Sequence, residues 1–505
     1  MSKSLLFFAL YSVVFFVTMN NTLPLIAAPY IVGELGGSNE IAFYTVTFYS
    51  LGNVIGIPIG KACVGRCAPA PFFLWGLFCF ALFSFMTAYS GNYPTFLATR
   101  VLEGIAAGSM FPMVASVFSV VLPKEKKDTN AMIIVTIFTV APTFSAAWGG
   151  WISYDYEWKR LFFINAPLLL GVGVFLWRKL QGVQLNREKV PFDGVGYIFY
   201  ILSLIPLSLV ITLGQQLDWY RSAIISALTV IGALSLGFFI LWELNHPFPI
   251  LDFRLLKKFA FSLGLFMLGA IFSAYFGMVI LLAYWLTLWV NYTPAWIAAI
   301  TGGMAVAGLL PSILFHRGYE CFDCRLPILI ALVFLAFSSF YTTYFNVEIN
   351  FGRIALSRIL AGFGLAFFLA PLFRLCFHTY KEDKVLSVIG FFQLVRMIAS
   401  GLGAAIFLTI WQRRQIFFHD RLGSQITAFS PTTQAYFAEA GQVNLQGPAA
   451  NVELDSLLNR QAIALALDDC FYLIAWLMVA LVVILLLTWA CRCNGFKPEK
   501  QHQIL

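Results

Sequence analysis

Arg100-Val-Leu-Glu-Gly-Ile-Ala-Ala-Gly, residues 100–108, and Arg358-Ile-Leu-Ala-Gly-Phe-Gly-Leu-Ala, residues 358–366, are the two stretches that decide the fold. Each sets an arginine four residues ahead of a glycine within an apolar run. A charged side chain in hydrocarbon is costly, so its return at the same place in two runs marks a duplicated unit. Apolar runs counted outward from these two give fourteen spans of about 20 residues, the length that crosses a bilayer as a helix. Six precede residue 180, two fall within 181–258 and six follow 259. The expectation is an all-α integral membrane protein. Its parts would be an N-terminal six-helix half over 1–180, two inserted linker helices over 181–258, and a C-terminal six-helix half over 259–505 with an external loop at 412–469.

Composition agrees. Of 505 residues, 60% are hydrophobic and 11% charged, and mean hydropathy is +0.82; a soluble domain is near 45–50% apolar and about 25% charged. A soluble enzyme, a nucleic-acid binder and a disordered chain are excluded. The net charge of +8 follows from topology: with the N-terminus inside, 20 of the 32 Lys and Arg fall in cytoplasmic segments and 7 in external ones, the bias that orients membrane proteins. Both termini are therefore expected in the cytoplasm. Nine cysteines form no secreted-protein framework. Cys63/Cys67 and Cys321/Cys324 fall on equivalent cytoplasmic loops, where four thiolates could hold zinc; reduced thiols are the simpler reading, and no metal is assigned. Neither Gly-x-x-x-x-Gly-Lys-Ser/Thr nor Gly-x-Gly-x-x-Gly occurs, so no nucleotide engine and no cofactor are expected.

Further stretches recur in a fixed order: Ala141-Pro142 with Gly149-Gly150-Trp151, Phe163-Ile164-Asn165-Ala166-Pro167, Asp193-Gly194-Val195-Gly196, Trp242-Glu243-Leu244 with Pro249-Ile250-Leu251-Asp252, Tyr292-Thr293-Pro294, and Trp411 with Arg414. Together with Arg100–Gly104 and Arg358–Gly364, they resemble the major facilitator superfamily, specifically its fourteen-span drug:proton antiporter branch of multidrug exporters. The resemblance implies the major facilitator fold, secondary transport by alternating access, export coupled to protons, and a place in the cytoplasmic (inner) membrane. It gives Arg66 and Pro142 roles in conformational motifs. Gly104, Gly108, Gly149, Gly150 and Gly362 fit a mechanical part, because small residues let helices approach and bend. The chain also departs from the pattern. An aspartate expected in span one is Asn20, an acid after span two is Gly65, and a second Gly-Pro in span five is Ser145-Ala146. An amide cannot carry a titrating proton.

Arg100 lies about seven residues into its span, roughly 10 Å deep, and Glu103 follows on the same helical face. A buried carboxylate beside an arginine responds to its surroundings. Glu103 with Arg100 is thus the proton-coupling candidate, the acid having moved from span one to span four, with a structural ion pair as the alternative. Arg358 and Arg396 have no mid-membrane acid in their own half. Either backbone carbonyls satisfy them or they bind a carboxylate or phosphate of the substrate, which arginine grips in bidentate fashion. With Asn20, Asn21, Thr22, Tyr49 and Tyr284 they make up the substrate-cavity candidates. The expected function is proton-coupled export of a small organic molecule, drug-like or an anionic metabolite or siderophore. Proton-coupled import of a metabolite or iron chelate, and a ligand-binding membrane sensor, stay open. The expected partners are the small-molecule substrate, protons and the lipid bilayer, with a periplasmic adaptor or outer-membrane channel compatible with the external segment. No nucleic acid is expected, and no enzymatic activity, since one mid-membrane acid offers no convergent catalytic set.

Overall fold

A computed structural model describes residues 3–38, 41–122, 127–183, 185, 191–314, 323–346, 348–377, 380, 384–442 and 447–490. The first half and the linker hold α1 Lys3–Met19, α2 Ala28–Glu34, α3 Tyr44–Cys63, α4 Pro69–Ala88, α5 Tyr93–Val121, α6 Lys127–Asp155, α7 Lys159–Lys179, α8 Gly194–Leu213 and α9 Ala223–Asn245. The second half holds α10 Phe259–Leu288, α11 Pro294–Leu314, α12 Arg325–Thr342, α13 Phe351–Phe377, α14 Val385–Gly423, α15 Pro431–Gln442 and α16 Pro448–Ala490. Among the described residues, twelve helices, α4 to α14 and α16, are long and apolar enough to cross a membrane.

The two remaining expected spans depart from that standard for separate reasons. The run from Ser4 to Ala28, expected as one helix, leaves α1 at Asn20, passes through successive turns and resumes as α2. Pro24 explains the break, because it has no N–H to give the Asn20 carbonyl one turn earlier. The second, α3, carries Asn53, Pro58, Lys61 and three glycines, and most of its residues are buried in protein. A helix shielded from lipid can be polar.

The halves repeat one another. In the first, α3 packs on α5, α4 on α7 and α1 on α6; in the second, α11 packs on α13, α12 on α16 and α10 on α14. The contacts between halves are reciprocal, α6 against α11 and α14 against α3. The inserted pair α8 and α9 pack on each other and lean on α3, where the Tyr197 and Tyr200 hydroxyls donate to the carbonyls of Ile55 (3.1 Å) and Val54 (2.9 Å). Lys61 at the end of α3 donates to the carbonyls of Pro249 and Ile250 beyond α9. The outer face of α9 exposes Ile224, Ile231, Leu234, Phe238 and Leu241, a surface that only lipid covers comfortably.

Segment 412–469, expected as an external loop, is largely helical. It comprises the end of α14, all of α15 and the first half of α16. At 39 and 43 residues, α14 and α16 run about 58 and 64 Å, twice the hydrocarbon thickness. Arg414 pairs with Asp469, Gln415 Nε2 donates to Asn459 (3.0 Å), His419 meets Asp455 (3.0 Å) and the Trp411 indole donates to the Ile463 carbonyl (3.2 Å). Buried Ala462, Ile463, Ala466 and Leu467 repeat at helical spacing beneath these polar ties. The segment therefore projects as a stiff extension from one face of the molecule.

On that same face α2 is tied down by Glu34, which accepts from Lys159 Nζ (2.6 Å) and the Trp158 indole (2.5 Å). The Lys159 hydrogen bond first, and the indole next, hold the Glu34 carboxyl below the ordinary carboxylate range. A depressed acid supports the fold above its unfolded pKa and loses that support as the pH falls through the folded one. The tie is expected to be complete at neutral pH and to release only in acid below the ordinary carboxylate range, seen as a shift in indole fluorescence that Glu34→Gln lacks.

Candidate functional site

The break in α1 is the hub of the site. Its three polar side chains fan out to four different helices. The Asn20 amide donates to Glu103 on α5. Asn21 accepts from the Ser50 hydroxyl of α3 (3.2 Å) and donates to Ser400 of α14 (3.4 Å). The Thr22 hydroxyl donates to the Pro142 carbonyl of α6 (2.8 Å) and lies 2.6 Å from Ser145 Oγ. Ser145, where the resembled family has a second Gly-Pro, is thus a partner of the break. A Cβ on Gly149 would overlap the Leu23 carbonyl, so that glycine lets α6 seat directly against the turning chain.

Arg100 and Glu103 are both fully buried, at 0% exposure. Arg100 Nη1 donates to Glu103 Oε2 (2.6 Å) and Nη2 to the Asn20 carbonyl (2.8 Å), the oxygen that Pro24 leaves free. The guanidinium also lies 4.4 Å from the centre of the Tyr49 ring, and the Tyr49 hydroxyl donates to the Val17 carbonyl (2.7 Å) in the last turn of α1. The acid on α5 therefore sits against residue 20 of span one, where the resembled family carries its own acid. A buried pair of this kind is held by its hydrogen bonds, and loss of either partner leaves an uncompensated charge.

Arg396 occupies the seam between halves. Its guanidinium lies 4.1 Å from the Phe138 ring of α6 and 5.8 Å from the Phe272 ring of α10, and Nε donates to Gln393 (3.1 Å). Gln393 Nε2 reaches Asn53 Oδ1 on α3 (3.5 Å). Among the described residues, Arg396 Nη2 and Asn53 Nδ2 are buried donors without a hydrogen-bond partner. Thr47 donating to the Gly401 carbonyl (3.0 Å) and the Ser50–Ser400 contact (3.1 Å) continue the seam toward the extension. Two unsatisfied donors flanked by aromatic rings suit an anionic group on an apolar body.

Arg358 is turned elsewhere. Its Nη2 donates to hydroxyls of Thr342 and Ser357, each at 2.8 Å, and its guanidinium lies 5.2 Å from the Phe471 ring. These partners place it inside the C-terminal half, against α12 and α16. Tyr284 packs edge-on to Trp411, 5.4 Å between ring centres, and helps line a small apolar hollow with Leu25, Pro29, Phe43 and Ile280. Arg66 is exposed in the turn after α3, where Gly65 has φ +85°. The glycine that replaces the family's acid therefore fits the backbone of this turn. Pro142 lies within α6, and Gly362 meets the Met304 carbonyl of α11 as Gly104 meets the Tyr49 carbonyl of α3. Cys63, Cys67 and Cys324 are free thiols; Cys321 lies outside the described residues.

Sequence reasoning missed Asn53 and Gln393, single amides within apolar runs, which intramembrane polarity alone could have flagged. It also missed Gly52, Gly56 and Gly60. On each of these a Cβ would overlap a backbone carbonyl of α5, at Val101, Ile105 and Ser109 respectively. The four-residue spacing of small residues was there to be read.

Over nearly its whole length the chain is similar to known transport proteins. Multidrug export protein EmrB of Escherichia coli (strain K12) is 25% identical over 475 residues, which are 94% of this chain and 93% of that protein. Fatty acid resistance protein FarB of Neisseria gonorrhoeae is 25% identical over 471 residues, 93% of each. Among solved structures, the human organic anion transporter MFSD10 has the same fold, with a TM-score of 0.56 at 13% identity over 95% of this chain and 99% of that one. The sequence pattern of the Major Facilitator Superfamily matches residues 10–404, most of the chain, and this multi-pass membrane protein belongs to that family.

Proposed function

We propose that this chain is a proton-coupled exporter of small organic molecules bearing an anionic group. The carrying observation is the buried Glu103 carboxylate, hydrogen-bonded to Asn20 at the break of α1. Ionised, it balances Arg100; protonated, it frees Arg100, which also holds the carbonyl on which the break depends. The same break reaches α14 through Asn21 and α6 through Thr22, so a proton on Glu103 bears on the seam between halves. In this reading residues 1–180 and 259–505 rock against each other, 181–258 ride on α3, and both termini face the cytoplasm. Export is favoured by likeness to relatives named for multidrug export and fatty acid resistance. The extension, on the face away from the termini, offers an adaptor protein a surface.

The substrate's anionic group is assigned to Arg396 Nη2 and Asn53 Nδ2, with its body against Phe138 and Phe272. Purified protein in vesicles, given a proton gradient of either sign and a panel of organic acids and cationic dyes, tests the whole reading. Acids should move outward, relative to the face bearing the termini, and stop when the gradient collapses; movement of cations alone would overturn the anionic assignment. Arg396→Ala should weaken acidic ligands about 10–100-fold, the 1.5–3 kcal/mol of a hydrogen bond to a charged group, and neutral ones far less. Equal losses would make Arg396 structural.

A further inference from the structure

The duplicated arginines sit in pockets of one build, and among the described residues only the first contains its counter-ion. Arg100 has the Phe162 ring of α7 at 5.7 Å, the Ser84 hydroxyl of α4 beside its partner acid, and Glu103 one turn along α5. Arg358 has the Phe471 ring of α16 at 5.2 Å and Ser338 of α12 at 3.5 Å. Helices α16, α12 and α13 are the repeats of α7, α4 and α5. At the position of Glu103, however, the second repeat has Ala361, which is fully buried.

The consequence is a charge imbalance. Arg358 is 1% exposed and arginine stays protonated in proteins. Its polar partners are the hydroxyls of Ser338, Thr342 and Ser357, all on Nη2. Hydroxyls accept hydrogen bonds but carry no net charge. Among the described residues, Arg358 Nε and Nη1 have no hydrogen-bond partner, and no carboxylate lies within ion-pair distance of Arg358. A buried charge without a counter-charge is strongly disfavoured, and alanine in place of glutamate also removes the atoms beyond Cβ.

We propose that Arg358 Nε and Nη1 hold a small inorganic anion, chloride in the cell, which does for the C-terminal half what the Glu103 carboxylate does for the N-terminal half. The site lies about seven residues into α13, roughly 10 Å from the helix end on the face that bears the extension. It is separate from the Arg396 seam, because its walls are α12, α13 and α16.

The test uses the full-length protein in detergent. Chloride is titrated into a gluconate buffer while thermal unfolding is followed, and retained radiolabelled chloride is counted. Wild type should gain about 2–4 °C in a saturable way, with bromide replacing chloride, and retain about one chloride per chain. Ala361→Glu should supply the carboxylate internally, matching or exceeding the chloride-saturated wild type while losing the halide response. Arg396→Gln should keep that response and Arg358→Gln should lose it. A wild-type melting point indifferent to halide, with no retained chloride, overturns the proposal even where no variant folds. So does a response that follows Arg396 in place of Arg358. A third overturning result is halide-independent destabilisation by Asp468→Asn with no retained chloride. Asp468 stands one turn before Phe471 with Oδ1 unpartnered, and that outcome would make it the counter-ion.

Discussion

Replacing Glu103 by glutamine is expected to reduce gradient-driven transport about a hundredfold or more, on the scale of losses when a positioned proton-transfer group is removed. Exchange of substrate across the membrane without a gradient should survive. The single variant also deprives Arg100 of its charge partner, so some stability will go with it, and activity alone would not separate the two effects. Contact between Asn20 and Glu103 supplies the control. Because the amide of residue 20 touches the carboxylate, the double variant Asn20→Asp with Glu103→Gln returns an acid to the same spot, still beside Arg100. It should recover gradient-driven transport and melting temperature together. Recovery of stability without transport would remove Glu103 from the proton path and leave it a structural ion pair.

The second large effect is expected on the interface of α3 with α5. Gly52, Gly56 and Gly60 face carbonyls of α5, while Gly104 and Gly108 face the Tyr49 and Asn53 carbonyls of α3. The two backbones meet with no side chain between them at these five positions. Gly56→Ala should cost about 1–3 kcal/mol, the range for overpacking a close contact. Gly56→Leu should leave no folded protein in the membrane, read as loss of the monodisperse peak after extraction. Gly171→Ala and Gly237→Ala, where a Cβ meets nothing within 4 Å among the described residues, should be silent. If Gly56→Leu folds normally, the contact is not the anchor of the N-terminal half.

The arginines at 100 and 358 were enough to read the duplication, since hydrocarbon tolerates such residues only for a reason. The Arg100–Glu103 pair was legible for the same cause, and the three-residue spacing placed both on one face. Other features needed the fold. Pro24 was visible, but that Arg100 would take the carbonyl it frees depends on how α5 packs against α1. Arg358 reads in the sequence like Arg396. Only the neighbours of each helix show that one turns into its own half and the other lies between halves. The polar stretch after Trp411 looked like a loop because its composition is soluble; its helices are fixed by pairing with each other, through Gln415 with Asn459 and His419 with Asp455.

That pairing also makes α14 a mechanical pointer. The helix carries Arg396 and Ser400 at the seam between halves and continues without interruption to Gly423. From Arg396 to its tip is about 40 Å at 1.5 Å per residue, so a tilt of about 10° at the seam swings the tip by roughly 7 Å. Braced by α16, the tip magnifies a rearrangement buried at the middle of the bilayer into a displacement in water, beyond the membrane face that bears the extension.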